Sequence, residues 1–80
     1  MTPQEALAKI ANDLSAFFGD GLATQIISSA QRVAQAPDAE LDKVNYAEIV
    51  HALCRDARVI GMLGELTVRE KRSLWEQLVN

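Results

Sequence analysis

The 80-residue sequence has one cysteine, four aromatic residues and no long hydrophobic run. Cys54 has no partner for an internal disulfide, so we expect no disulfide framework and a reducing compartment, the cytoplasm. No stretch approaches the roughly 18 consecutive apolar residues of a membrane helix. The N-terminal Met-Thr-Pro-Gln-Glu lacks the basic segment and apolar run of a signal peptide. These absences predict a soluble protein without a membrane partner.

Large apolar side chains are also limited in number. Hydrophobic residues make up 49% of the chain, but twelve of them are alanine. A chain of this length buries only about three-fifths to two-thirds of its unfolded surface. We therefore predict a single helical domain over residues 1–80, with one small core and no deep substrate cleft. Self-association or docking onto a partner would supplement such a core.

The charge of the chain is unevenly distributed. The net charge is −3, and the pI of about 4.9 argues against a protein that neutralises many phosphates. Residues 1–54 carry three basic and seven acidic side chains, whereas residues 55–72 carry five basic and three acidic ones. An acidic body is therefore followed by a mildly basic C-terminal section.

Apolar residues recur at helical three- and four-residue spacing in four segments, and no segment favours a strand. We predict an all-α fold, a compact antiparallel bundle of four helices at about 3–18, 21–35, 46–60 and 68–79, with tight turns and a longer connector at 36–45. The predicted apolar stripes comprise Leu7, Ile10, Ala11, Leu14, Phe17 and Phe18; Leu22, Ala23, Ile26, Ile27, Ala30, Val33 and Ala34; Tyr46, Ile49, Val50, Leu53, Cys54, Ala57 and Ile60; and Leu74, Trp75, Leu78 and Val79.

Capping residues, glycine and proline set the predicted helix ends. Gly19 and Gly61 are predicted to end the first and third helices, because glycine readily adopts the left-handed conformation at a C-terminus. Asp20 is a predicted cap for the second helix, which Pro37 should end. The predicted capping boxes are Thr2 with Glu5, Asn45 with Glu48, and Thr67 with Glu70.

His51 and Cys54 lie three residues apart on the third predicted helix and could place two zinc ligands on one side of it. Zinc normally takes three or four protein ligands, and the chain has no other histidine or cysteine. As nucleophile and base, the pair would lack an orienting third group and an oxyanion pocket. We therefore predict no metal site, no cofactor and no catalytic residue.

The segment 59–66 is too apolar for a free loop and contains two glycines. At 100° per residue, Val59 points away from the stripe of the third helix, and one buried stripe cannot hold every apolar residue of the segment. Trp75 is expected to be a core residue or, if half exposed, an interface anchor. The predicted partner-binding residues are Val59, Met62, Leu63, Leu66, Arg69, Arg72 and Trp75.

These features predict a small non-catalytic protein–protein interaction module, such as an adaptor, an inhibitor or a regulatory subunit. It would bind a protein partner or a second copy of itself through the 59–66 segment and the last helix. The alternative is a nucleic-acid-binding transcriptional regulator that uses Arg69, Lys71 and Arg72 at the start of the last helix. Nearby glutamates and the acidic pI make nucleic acid the less favoured partner.

Overall fold

The computed structural model describes residues 1–37 and 40–79. Within these ranges the chain is helical and contains no strand, which confirms the all-α prediction. The prediction of four helices is wrong, because the predicted third helix is divided in two at Asp56. Of the predicted connector 36–45, residues 38 and 39 lie outside the described ranges. The helices are α1 (Pro3–Phe18), α2 (Asp20–Val33), α3 (Lys43–Arg55), α4 (Ala57–Leu63) and α5 (Glu65–Gln77).

The start of α1 forms as its sequence predicts. The Glu5 N–H donates to Thr2 Oγ1 at 3.2 Å, and the Thr2 N–H donates to Glu5 Oε1 at 3.0 Å, which completes a capping box. The hydrogen bond from the Thr2 backbone holds the pKa of Glu5 below its ordinary value. Pro3 occupies the first turn, where its missing N–H costs no helical hydrogen bond.

The start of α3 differs from the prediction by three residues. The Asn45 N–H donates to Asp42 Oδ1 at 2.7 Å, and the Asp42 N–H donates to Asn45 Oδ1 at 3.2 Å. Asp42 is therefore the N-cap, and the predicted box of Asn45 with Glu48 is wrong. Aspartate is as good a cap as asparagine, and by capping first it brings Val44 into the helix.

The predicted ends around α4 are also wrong. Gly61 lies inside α4 and does not end it, and Thr67 lies inside α5 and does not cap it. Asp56 caps α4 by accepting the Arg58 N–H at Oδ1 over 2.8 Å. Gly64 is both the C-cap of α4 and the N-cap of α5.

The C-terminus of α2 comes at Val33, two residues before the predicted end. Gln35 has a φ of 54°, in the left-handed region. The Ala36 N–H donates to the Gln31 carbonyl at 2.9 Å, and the Gln35 N–H donates to the Arg32 carbonyl at 3.1 Å. This is the hydrogen-bond pattern of a Schellman motif, so the helix stops before Pro37 can interrupt it.

The core takes side chains from all five helices. The buried Tyr46 hydroxyl donates to the Trp75 carbonyl oxygen at 2.6 Å, which joins α3 to α5. Trp75 Nε1–H donates to Asp13 Oδ2 at 3.3 Å, which joins α5 to α1. The buried residues are Ala6, Leu7, Ile10, Leu14, Ala23, Ile26, Ile27, Ala30, Leu41, Tyr46, Ile49, Val50, Leu53, Val59, Val68, Trp75 and Val79.

Several members of the predicted apolar stripes face solvent. Val68, which was not among the predicted apolar positions, is buried seven residues before Trp75, and these two set the buried face of α5. Leu74 is rotated by about 100° from Trp75 and is therefore exposed. The other stripe residues that are exposed are Phe17, Leu22, Val33 and Ala57.

The helices are short, and α1 spans 16 residues. Among the residues described, none of the helices combines the length and the apolar character needed to cross a bilayer.

Candidate protein-interaction surfaces

Two helix pairs are joined by a single glycine each. Gly19 links α1 to α2 with φ 81° and ψ 161°, and Gly64 links α4 to α5 with φ 85° and ψ 155°. This region of backbone conformation is populated essentially by glycine alone. The Gly19 N–H donates to the Ser15 carbonyl at 2.9 Å, and the Gly64 N–H donates to the Ile60 carbonyl at 2.8 Å. The two corners therefore have the same backbone geometry.

The two corners also share a pattern of side-chain burial. In each, the residues five before and four after the glycine are buried, the residue immediately before it is partly buried, and the one before that is exposed. These residues are Leu14, Ala23, Phe18 and Phe17 in the first corner, and Val59, Val68, Leu63 and Met62 in the second.

Two of the predicted partner-binding residues lie in the core. Val59 has no exposed surface, because the break at Asp56 starts a new helix whose own register turns this residue inward. The extrapolation of 100° per residue from the third predicted helix to Val59 is therefore wrong, because that helix does not continue through Asp56. Trp75 is buried as well, with its ring nitrogen and its carbonyl oxygen both in hydrogen bonds. Neither side chain can contact a partner in this conformation.

Three predicted residues form a surface around Gly64, which we call the α4–α5 corner surface: Met62, Leu63 and Leu66. Met62 is 54% exposed and Leu66 is 74% exposed. Leu63 is partly buried against the core and anchors the surface. At the position equivalent to Leu66, two residues after the glycine, the first corner has Gly21.

Of the predicted basic residues of α5, Arg69 and Arg72 are exposed and Lys71 is partly buried. Arg72 Nε–H donates to Glu76 Oε1 at 2.8 Å, and this hydrogen bond raises the pKa of the arginine. Arg69 is exposed between Glu65 and Glu70 along the helix. The start of α5 therefore presents mixed charge.

A groove that sequence reasoning missed runs between α2 and α3. It has a volume of about 900 Å³. Val33 and Val44 line it while remaining 75% and 65% exposed. Four alanines line it too: Ala30 in α2, Ala34 immediately after α2, and Ala47 and Ala52 in α3.

The signal for this groove was only partly visible in the sequence. Helical spacing predicts Val33 as a core residue of its stripe, and the predicted cap at Asn45 places Val44 in the connector. The alanines on α2 permit close helix approach, but the groove exists only once α2 has packed against α3.

His51 and Cys54 lie in different surroundings. His51 lines the groove, whereas Cys54 is partly buried, and burial raises the pKa of its thiol. A raised pKa keeps more of the sulfur as the less reactive thiol. In the described part of the chain, no three His, Cys, Asp or Glu side chains are grouped closely enough to hold a metal ion.

Comparison with models of protein families, with curated proteins and with solved structures finds no match to this chain. Its function has to be inferred from its own surfaces.

Proposed function

We propose that the protein is a small non-catalytic protein–protein interaction module that binds a partner protein through the α4–α5 corner surface. The observation that supports this proposal is the exposure of Met62 and Leu66 on either side of a single glycine. Burying apolar area on binding is favourable by about 25 cal/mol per Å². Docking of a partner on Met62 and Leu66 would bury their exposed apolar surface and would gain this free energy.

The backbone beneath the surface supports this proposal. Gly64 accepts the Val68 N–H at 3.0 Å and donates to the Ile60 carbonyl at 2.8 Å, so the last turn of α4 and the first turn of α5 are tied to one residue. Val59 and Val68 are buried on either side of it. A rigid presentation lowers the ordering cost of binding.

The proposal includes two finer expectations from the sequence. The lone cysteine, Cys54, fits a role in the reducing cytoplasm. A second copy of the chain is the alternative occupant of the surface, which would make the protein a homo-oligomer.

Charge substitution at the corner tests the proposal. The double variant Met62→Glu with Leu66→Glu should keep its helical circular dichroism, because both side chains are exposed. It should weaken binding of the partner, or self-association measured by light scattering, by at least about tenfold, as expected for hot-spot residues. Partners are to be identified by affinity capture from the host and then titrated with purified protein.

The first corner offers a matched control. Phe17→Glu with Leu22→Glu places the same charges beside Gly19, and this variant should bind as wild type does. If both double variants bind equally well, or if the Met62 and Leu66 variant retains every interaction, the proposal is wrong.

The nucleic-acid alternative has less support. The Arg72 side chain is paired with Glu76 at 2.8 Å, and Arg69 is flanked by glutamates. Binding to DNA or RNA at low salt that falls steeply with added salt and on Arg69→Ala substitution would favour this alternative over protein binding.

A further inference from the structure

The α2–α3 groove has the shape of a helix-docking site. Its lining residues on α3 extend from Lys43 to Asp56, the residue after the helix. At 1.5 Å per residue this stretch is about 20 Å long. The other side of the groove is lined by residues of the 29–34 segment and by Arg72 of α5. A groove of that length along α3 suits a docked helix better than a compact small molecule.

The lining of the groove favours close approach of another helix. Ala30, Ala34, Ala47 and Ala52 are short side chains, and the distance between helix axes depends on the side chains at the contact. Val33 and Val44 add apolar surface that no described residue covers.

The net charge of the residues that line the groove is opposite in sign to the net charge of the whole chain. Lys43, Arg55 and Arg72 line it together with Glu48 and Asp56, a net charge of +1, whereas the chain carries −3. The Asp56 carboxylate is bound to Arg58 at 2.7 Å, which lowers the pKa of Asp56.

Two cations mark the ends of the groove along α3. Lys43 is the first residue of the helix and Arg55 is the last. Within residues 1–37 and 40–79, neither is in an ion pair. An occupant with acidic residues near both ends would complement them.

We propose that the α2–α3 groove binds an amphipathic helix of a partner protein that carries acidic residues at both ends of its apolar stripe. The stripe, with apolar residues at positions i, i+3 or i+4, and i+7, would lie against the four alanines and against Val33 and Val44. Its acidic residues would face Lys43 and Arg55. This site is separate from the α4–α5 corner surface and stands without it.

The test uses a displayed library of 14-residue helical peptides. Selection on the wild-type protein is followed by counter-selection on Ala47→Phe, a variant that fills the groove at an exposed helical position. We expect the surviving peptides to share an apolar three- and four-residue repeat and a net negative charge. Their affinity for Ala47→Phe should be at least about tenfold lower than for wild type.

Charge reversal at the two ends sharpens the test. Lys43→Glu with Arg55→Glu should weaken the selected acidic peptides by about tenfold in fluorescence anisotropy, and should improve binding of a twin peptide in which lysine replaces the acidic residues. Leu66→Glu, at the corner surface, should bind these peptides as wild type does. Circular dichroism confirms that each variant is folded.

Three outcomes would overturn the inference. They are a library that yields no peptide sensitive to Ala47→Phe, selected peptides that are predominantly basic, and self-association of the wild type that Ala47→Phe abolishes, which would make a second copy the occupant. None of these outcomes affects the corner proposal, which depends on Met62 and Leu66.

Discussion

The corners at Gly19 and Gly64 join two helices through the same backbone geometry, but they differ in how many buried side chains the joined helices carry. The first joins helices of 16 and 14 residues, each with four buried side chains. The second joins helices of 7 and 13 residues, in which Val59 is the buried residue of α4 and Val68 and Trp75 are those of α5. The first corner has a larger core of its own, whereas the second depends on contacts with α3 and α1.

The two corners share a backbone geometry but differ in how far their apolar side chains are exposed. Phe17 and Leu22 are 45% and 36% exposed at the first corner, against 54% and 74% for Met62 and Leu66 at the second. The backbone geometry is shared, and Gly21 occupies the position equivalent to Leu66. The turn therefore forms without a large apolar side chain at that position, so the backbone geometry does not require Leu66.

The largest expected loss of stability comes from truncating the buried residue five positions before each corner glycine. Leu14→Ala should lower the free energy of unfolding by about 2–5 kcal/mol, the usual range for a buried leucine. Val59→Ala should cost less, because valine loses fewer buried carbons and α4 buries little else. Urea unfolding followed by Trp75 fluorescence and circular dichroism measures both. A larger cost at Val59 would make the second corner the more important one for stability.

Alanine at the corner glycines should have an intermediate effect of similar size at both sites. Gly19→Ala and Gly64→Ala force a side chain into a sparsely populated backbone region, at about 1–3 kcal/mol each. An added Cβ meets no atom within 4 Å at either position, so the cost comes from the backbone alone. Thermal unfolding should show it as a lower Tm.

The helical glycines serve as matched controls. Gly21→Ala and Gly61→Ala also place a Cβ in open space, but within α2 and α4. They should stabilise the protein by about 0.5–1 kcal/mol, because alanine is the better helix former. A neutral Gly64→Ala beside a costly Gly19→Ala would show that the two corners are not equivalent.

A smaller loss of stability than at the corner glycines is expected for the hydrogen bond that ties α5 to α3. Tyr46→Phe removes the donor to the Trp75 carbonyl and should cost about 1 kcal/mol. The carbonyl keeps a second partner, the Leu78 N–H at 3.2 Å, which limits the loss. Denaturant unfolding compares this variant with wild type, and no change would mean that Tyr46 acts through packing alone.

The same tyrosine makes an alkaline pH dependence testable. Burial, with a smaller contribution from the Glu76 charge, raises the pKa of Tyr46 to about 12. Because the unfolded chain would lose this proton near pH 10, the contribution of Tyr46 to stability is complete below pH 10 and is lost as the pH rises through 12. Tyr46 is the sole tyrosine, so ultraviolet titration reports it directly. A midpoint near 10 in the folded protein would contradict this burial.

Local sequence patterns predicted those elements where independent signals coincide. At Thr2, a cap, a proline and a glutamate three residues on all agree, and α1 begins there. At α3, Asp42 with Asn45 and Asn45 with Glu48 both have suitable spacing, so local chemistry does not choose between them. The break at Asp56 is a single extended residue inside a continuing apolar pattern, and the off-stripe position of Val59 was its one visible sign.

The candidate surfaces were predictable to different degrees. The sequence predicts Met62 and Leu66 as surface residues, because the 59–66 segment has too many apolar residues for one helical face. The α2–α3 groove joins residues from two separate helices, so Val33 and Val44 come to line one groove only through tertiary packing. Helical periodicity within one segment cannot predict which residues of two different helices will line the same groove.

The conformation shared by Gly19 and Gly64 also has a consequence for handedness. Reversing the signs of φ 81° and ψ 161° gives angles close to the extended region that an L-amino acid adopts readily. A D-amino acid would therefore sit at either corner without strain, whereas among the encoded residues glycine alone is achiral. At these two positions the mirror-image building block suits the backbone better than any encoded residue with a side chain.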